Sequence, residues 1–383
     1  MANGKPRYIY LRHEMGIGMN PMKPKRSPER YVYNPVKPFN ERIRELIKST
    51  HPSGGPIAVS PMGKRFKVRM DSAYWKDYYA LTGTDGIGTK GLLHWRMNTM
   101  RYGAQDAFAM VVDDLIEGGY APVTLQDHIL MQEESQERIF AIIKALVELS
   151  KKNKWKAAGG KSYPIIISGG ETAIINTLQG FEIGITATGY AKKGEEIRAE
   201  VKSGDLIIGL GSSGVHTNGL SFFREEFFSR RKMQLGSRLP WGATVGEELT
   251  VPTNVYLPAI KALMERLKGN QSIHGMVHIT GGGISKLKEL LNGNVDIAVR
   301  RDHRLEPQEI FRYAHDEFGL SSDKMYSRFN NGVGYVVAVE ESCADRALGA
   351  LKRHFPADVI GEVRKGSGKI AIESQYDRTT VRY

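Results

Sequence analysis

From Tyr102 to Glu117 the apolar residues Ala104, Ala107, Phe108, Met110, Val111 and Leu115 recur every three or four positions, the period of a helix with one buried stripe. Asp106, Asp113 and Asp114 fall near or beyond the edges of that stripe, Asp113 and Asp114 read as a solvated face, and Gly118-Gly119 closes the helix. Phe39–Lys48 and Glu134–Lys152 show the same period. Short runs rich in β-branched and aromatic residues, at Phe66–Met70, Tyr78–Thr82, Pro122–Met131, Pro164–Ser168 and Phe181–Tyr190, predict strands. Their interleaving with helices predicts an α/β or α+β unit ending near residue 195.

The charged, turn-prone stretch 194–204 reads as a linker. Beyond it, strands are predicted at Asp205–Leu210, Gly275–His278, Gly334–Val339, Asp358–Val363 and Lys369–Glu373. Helices are predicted at Leu220–Arg230, Tyr256–Leu267, Ser285–Leu291, Gln308–Phe318 and Ala344–Arg353. The chain thus divides into an arm (1–55), an N-terminal domain (56–195) and a C-terminal α/β domain (205–383). The arm, rich in Pro, Met, Arg and Tyr, is expected to lie over a surface or an active site.

Composition narrows the class. At 383 residues, with 41% hydrophobic and 25% charged, the chain suits two soluble domains. No apolar run approaches the roughly 20 residues that span a bilayer, and no leader pattern opens the chain, so a cytoplasmic protein is expected. Cys343 is the sole cysteine, which excludes an intrachain disulfide and reads as packing. The net charge is +12, and residues 1–50 alone carry eleven Lys/Arg against four Glu. With neither zinc-finger spacing nor a basic, aromatic-interleaved helix, this charge fits phosphorylated small molecules or plain solubility better than nucleic acid.

Four glycine-rich segments, 83–91, 169–172, 211–219 and 281–283, adjoin predicted strands or helices, where they are expected to form turns that offer backbone amides to phosphates. The richest, Leu81–Lys90, holds three glycines, three hydroxyls, Asp85 and Lys90 in ten residues. Neither a Walker loop nor a dinucleotide fingerprint is present. Asp85, Asp114, Asp127 and Glu171 suit the hard oxygen shell of Mg²⁺. Asp127 sits in an apolar strand, where a bare charge is costly and a metal or cationic partner is expected. His216, in a hydroxyl-rich turn, suits proton transfer; His278 reads as a structural hydrogen bond, and His128 has no assigned role.

Read together and in order, these motifs resemble the aminoimidazole ribonucleotide synthetase (phosphoribosylformylglycinamidine cyclo-ligase) family. The matching words are Thr84-Asp-Gly-Ile-Gly-Thr-Lys90, Val111–Leu115, Gly169-Gly-Glu-Thr-Ala173, Gly204–Ser221, Pro252-Thr-Asn-Val-Tyr256, Ile273–Ile284 and Met325-Tyr-Ser-Arg-Phe-Asn-Asn-Gly-Val-Gly334. The resemblance implies two α/β domains, a homodimer formed through the N-terminal domains, and ATP- and Mg²⁺-dependent ring closure of a ribonucleotide. It assigns Asp85, Asp114 and Glu171 to metal. It assigns Gly86, Gly88, Thr89, Lys90, Gly169, Gly170 and Thr172 to the nucleotide, and Ser213, His216 and Asn218 to substrate. His216, Lys90 and Asp114 become the expected catalytic residues. Two departures mark a divergent member: the family's upstream Tyr-Lys-x-x-Gly-Val-Asp word is missing, and Gln126-Asp127-His128 replaces a Leu-Asp-Tyr strand. The alternatives are another ATP-using enzyme of the superfamily and a non-catalytic nucleotide-binding paralogue. No cysteine precedes Cys343 and the chain ends in Tyr383, which disfavours the selenophosphate and hydrogenase-maturation branches.

Overall fold

The computed structural model describes residues 38–52, 54–63, 65–156, 160 and 162–383; most of the arm lies outside the described residues. The N-terminal domain begins with α1 (Pro38–Lys48), an antiparallel ribbon of β1 (Ile57–Met62) and β2 (Arg65–Met70), and α2 (Ser72–Trp75), capped by the Asp71 carboxylate. Then follow β3 (Tyr78–Gly86), α3 (Lys90–Met97), α4 (Met100–Glu117), β4 (Ala121–Met131) and α5 (Gln136–Lys152). A small ribbon of β5 (Trp155–Lys156) and β6 (Ser162–Tyr163) precedes β7 (Ile166–Ile174) and β8 (Phe181–Lys192). The strands pair in the order β3-β8-β4-β7, with only β4 and β7 parallel. In β4 and β8 alternate residues are buried beneath the helices, as period-2 patterning requires. The other face is open and rich in hydroxyls: Thr82 pairs with Thr188 and Thr84 with Thr186, each at 2.9 Å.

The C-terminal domain contains β9 (Leu206–Gly211), α6 (Leu220–Arg224), α7 (Val245–Leu249), α8 (Leu257–Leu267), β10 (Ile273–His278) and β11 (Val295–Val299). It continues with α9 (Glu309–Asp316), α10 (Ser322–Arg328), β12 (Val333–Val339), α11 (Ala344–Leu351), β13 (Ala357–Lys365), β14 (Ile370–Glu373) and β15 (Thr380–Arg382). Its seven strands run β10-β12-β9-β13-β11-β14-β15, and every residue of β12 is buried because both faces of the sheet are covered. A 3₁₀ stretch spans Gly283–Leu290, and the predicted helix 220–230 changes to π-helix at Glu225.

Two expectations need correction. Gly169–Thr172 is not a turn but the middle of β7, and Gly170 is small for a different reason: a Cβ there would stand 2.4 Å from the Asp127 carboxylate on β4. Nor is Asp113 on a solvated face of α4, although Asp114 beside it is 40% exposed. Asp113 is fully buried and accepts the Tyr256 and Leu257 N–H groups at 2.9 Å, capping α8 from the other domain, where the helix dipole favours an anion. On the same side of α4, Gln105 donates to Thr253 O at 2.8 Å, Asp106 accepts from Thr253, and Glu117 accepts the His278 N–H. One helix face thus joins the domains by gripping backbone of the second.

A candidate anion-binding cleft between the domains

A cavity of about 600 Å³ opens where β3 and β8 meet the turns after β9 and β10. One wall is Asp85–Thr89 with Met110 and Glu182; the other is Thr217–Ser221 with Thr280 and Gly281, and among the described residues no lysine or arginine lines either. Asp85 lies at the end of β3, just before a turn where Gly88 takes φ +50°, and its Oδ1 accepts the Gly86 N–H at 2.7 Å. Burial raises its carboxyl above the ordinary range and nearby Asp114 adds to this; the Gly86 amide, His278 and Lys286 pull it back. Asp114, 40% exposed, stands behind it and pairs with His278 Nδ1 at 3.0 Å.

Glu182 was not anticipated. Its Oε1 accepts the Ile87 and Gly88 N–H groups at 2.9 and 3.0 Å, so amides expected to cradle a phosphate already hold an internal carboxylate. Gly86 permits this: a Cβ there would lie 2.9 Å from Glu182 Oε1. An acidic residue opening an apolar strand has no distinctive sequence signal.

Lys90 is placed elsewhere. It is fully buried, with Nζ 2.9 Å from Asp106 Oδ1 and 2.6 Å from Val251 O, so it faces the seam between the domains and not the cleft. Burial pushes its ammonium down. Asp106 nevertheless stays below the ordinary carboxylate range, because Lys90, His94 and Thr253 together outweigh its own burial. His216 also departs from expectation as a cleft residue. It takes φ +60°, is 2% exposed, and its Nε2 accepts the Ser213 N–H at 3.2 Å, leaving Nδ1 buried without a partner. Its ring turns toward Tyr256, burial holds it well below its ordinary pKa, and a neutral imidazole results. Ser213 donates to Pro252 O at 2.6 Å and is likewise absent from the lining, so the C-terminal wall presents Thr217 and Asn218 instead.

Gly86, Gly88, Thr89, Asp85 and Asn218 are therefore brought together, with Asp114 just behind. Gly169, Gly170, Glu171 and Thr172 are not. Asp85, Ile185, Asp127 and Gly170 form one row across the sheet, which puts Glu171 three strands, about 14 Å, from Asp85 within one chain. Among the described residues Asp127 Oδ2 has no hydrogen-bond partner, and burial raises its carboxyl to about 7, with Glu171 adding to the rise. Among the described residues no three His, Cys, Asp or Glu side chains gather into a metal site. The donor set at Asp85 and Asp114 fits Mg²⁺ that completes its shell with phosphate oxygens and water.

Solved structures share this two-domain architecture. The hydrogenase maturation protein HypE of E. coli covers 90% of this chain and 96% of its own with a TM-score of 0.58 at 17% identity. Thiamine-monophosphate kinase from Stenotrophomonas maltophilia covers 88% and 96% with a TM-score of 0.56 at 16% identity. The fold thus places the chain in a class of two-domain α+β proteins. Within it, the models of AIR synthase related proteins match in both halves, the N-terminal domain at residues 70–191 and the C-terminal domain at 202–373, and the chain belongs to that family. A phosphoribosylformylglycinamidine cyclo-ligase of Methanococcus maripaludis is 34% identical over 310 residues, 80% of this chain and 84% of the relative. That of Methanocaldococcus jannaschii is 35% identical over 291 residues, 75% and 79%. No helix among the described residues is long and apolar enough to cross a membrane.

Proposed function

We propose that this chain is an ATP-dependent cyclo-ligase that converts formylglycinamidine ribonucleotide to aminoimidazole ribonucleotide. The observation that carries the reading is the agreement in name and extent of relatives about one third identical over three quarters or more of both chains. The cleft supports it, since most of its lining comes from three of the shared words, Thr84–Lys90, Gly204–Ser221 and Ile273–Ile284.

The formyl-amide oxygen is a poor leaving group. Transfer of the ATP γ-phosphoryl group to it gives an iminophosphate and ADP; the amidine nitrogen then attacks the activated carbon and phosphate departs. Little covalent chemistry falls to the protein, which positions two anionic molecules and offsets charge. Asp85, with Asp114 behind it, would hold the Mg²⁺ that accompanies ATP and neutralises phosphate charge. Thr89, Thr217, Asn218 and Thr280 offer neutral donors to phosphates and ribose. Glu182 keeps the Asp85–Thr89 turn in shape. His216, neutral and sealed, supports its turn and does not contact the reacting atoms. The open hydroxyl face of the N-terminal sheet is the surface for a homodimer, and the cytoplasm is the compartment of this reaction.

The purified protein with ATP and Mg²⁺ is expected to release ADP only when formylglycinamidine ribonucleotide is added. ADP release indifferent to that substrate would refute the assignment.

A further inference from the structure

With Lys90 withdrawn into the seam, Lys286, on the 3₁₀ stretch after the Thr280–Gly283 turn, is a cation hydrogen-bonded to a residue of the cleft's C-terminal wall. Its Nζ donates to His278 O at 3.0 Å and to Thr280 Oγ1 at 3.1 Å, and stands 3.7 Å from Glu117 Oε1 and 3.9 Å from Glu289. The side chain is only 15% exposed and does not itself line the cavity, whereas Thr280 does. An ammonium can only donate, so the Thr280 oxygen must accept from it. The remaining hydroxyl proton is driven away from Lys286, and Thr280 is one of the residues that line the cleft. A hydroxyl that accepts from a cation is also a stronger donor to an anion. Among the described residues no lysine or arginine lines the cavity, so this relay is how a cation acts on its wall.

We propose that Thr280 is a phosphoryl-binding hydroxyl whose proton Lys286 aims into the cleft, which makes Lys286 a positioning residue acting through Thr280. The proposal rests on the reading of the cleft as a site for phosphorylated substrates and names the group that meets them on the second wall. The phosphoryl group belongs either to the nucleotide or to the ribonucleotide, and the two sources are separable by probe.

The test is a double-mutant cycle on the full chain, read by calorimetric titration with ADP in one arm and ribose 5-phosphate in the other. Thr280→Val, which removes the hydroxyl at nearly constant shape, is expected to weaken one probe about 10- to 100-fold. Lys286→Met should weaken the same probe, and in the Thr280→Val background it should add less than about twofold, the sign of action through one group. Thr280→Ser should restore binding, and Lys286→Arg should restore most of it, so the cycle survives if Lys286→Met fails to fold. The arm that responds identifies which phosphate meets Thr280. Independent, multiplying effects of the two substitutions would overturn the relay, as would wild-type affinity in a folded Lys286→Met protein. Wild-type protein that binds neither probe would instead bring down the reading of the cleft itself.

Discussion

Replacing Lys90 separates a phosphate-binding lysine from a structural one. In the structure its ammonium is fully buried 2.9 Å from Asp106, and Asp106 Oδ1 also accepts from the Thr253 N–H and hydroxyl at 2.7 and 2.6 Å. Lys90→Met keeps most of the volume but leaves a buried carboxylate short of its counter-charge and Val251 O short of a donor. Removing one partner of a buried pair costs about 3–5 kcal/mol, and the two Thr253 donors argue for the lower half of that range. His94 tunes the outcome, because its Nε2 lies 2.7 Å from Asp106 Oδ2 and its Nδ1 2.7 Å from the Thr99 hydroxyl. Burial, reinforced by repulsion from Lys90, holds this imidazole below its ordinary pKa, so it is neutral in the wild type. Without Lys90 its folded pKa rises, and a proton on His94 then replaces the missing charge. That compensation is present at low pH and lost as pH rises through the new value. Urea denaturation followed by tryptophan fluorescence is expected to show a loss of about 3 kcal/mol at pH 8 and clearly less at pH 6. Adding Asp106→Asn should recover much of it. A variant within about 0.5 kcal/mol of wild type at pH 8, but with a raised Michaelis constant for ATP, would refute the structural assignment and return Lys90 to the nucleotide.

Two further predictions follow from buried groups. Asp127 is 95% buried with a carboxyl at about 7, so its folded pKa is raised and its burial costs stability as pH climbs from about 4 to 7. Asp127→Asn should gain on wild type across that range by at most about 4 kcal/mol, read by denaturation at pH 5 and pH 8, and a gap constant with pH would contradict this. Gly91 opens α3 against β8, where an added Cβ would stand 1.9 Å from Phe181 O, a backbone atom with no freedom to move. Gly91→Ala should cost about 1–3 kcal/mol in the same assay, and an unchanged midpoint would show that α3 is loosely docked.

The local period of the chain carried most of the elements. The apolar spacing of α4 fixes a helix within two residues of its observed start, and the alternation along β4 and β8 gives both strands. What local pattern cannot carry is the identity of distant partners. Asp113 reads as solvated because the amides it caps lie 143 and 144 residues away, and Lys90 reads as a phosphate ligand because nothing nearby shows that Asp106 claims it. Gly170 resembled a turn glycine, although its cause is close approach by a carboxylate on the next strand. The short elements α7, α10 and β11 escaped notice because five to seven residues show too little of any period. The cleft was legible where motif and geometry coincide, at Asp85–Thr89 and Asn218. It was not legible at Glu182, which acts through two amides 94 and 95 positions away.

The acidic face of α4 bears on how molecules reach the cleft. Asp106, Asp113 and Glu117 clamp backbone amides of the second domain along about sixteen ångströms of helix, the rise of eleven residues, so the domains share a weld and not a hinge. Opening it would strand buried carboxylates and unmatched amides at once. Widening the cleft by parting the domains therefore carries the cost of all these bonds together, which favours entry through the opening as it stands. Discrimination then falls to the chemistry of the door frame: which phosphate meets which hydroxyl, and on which side.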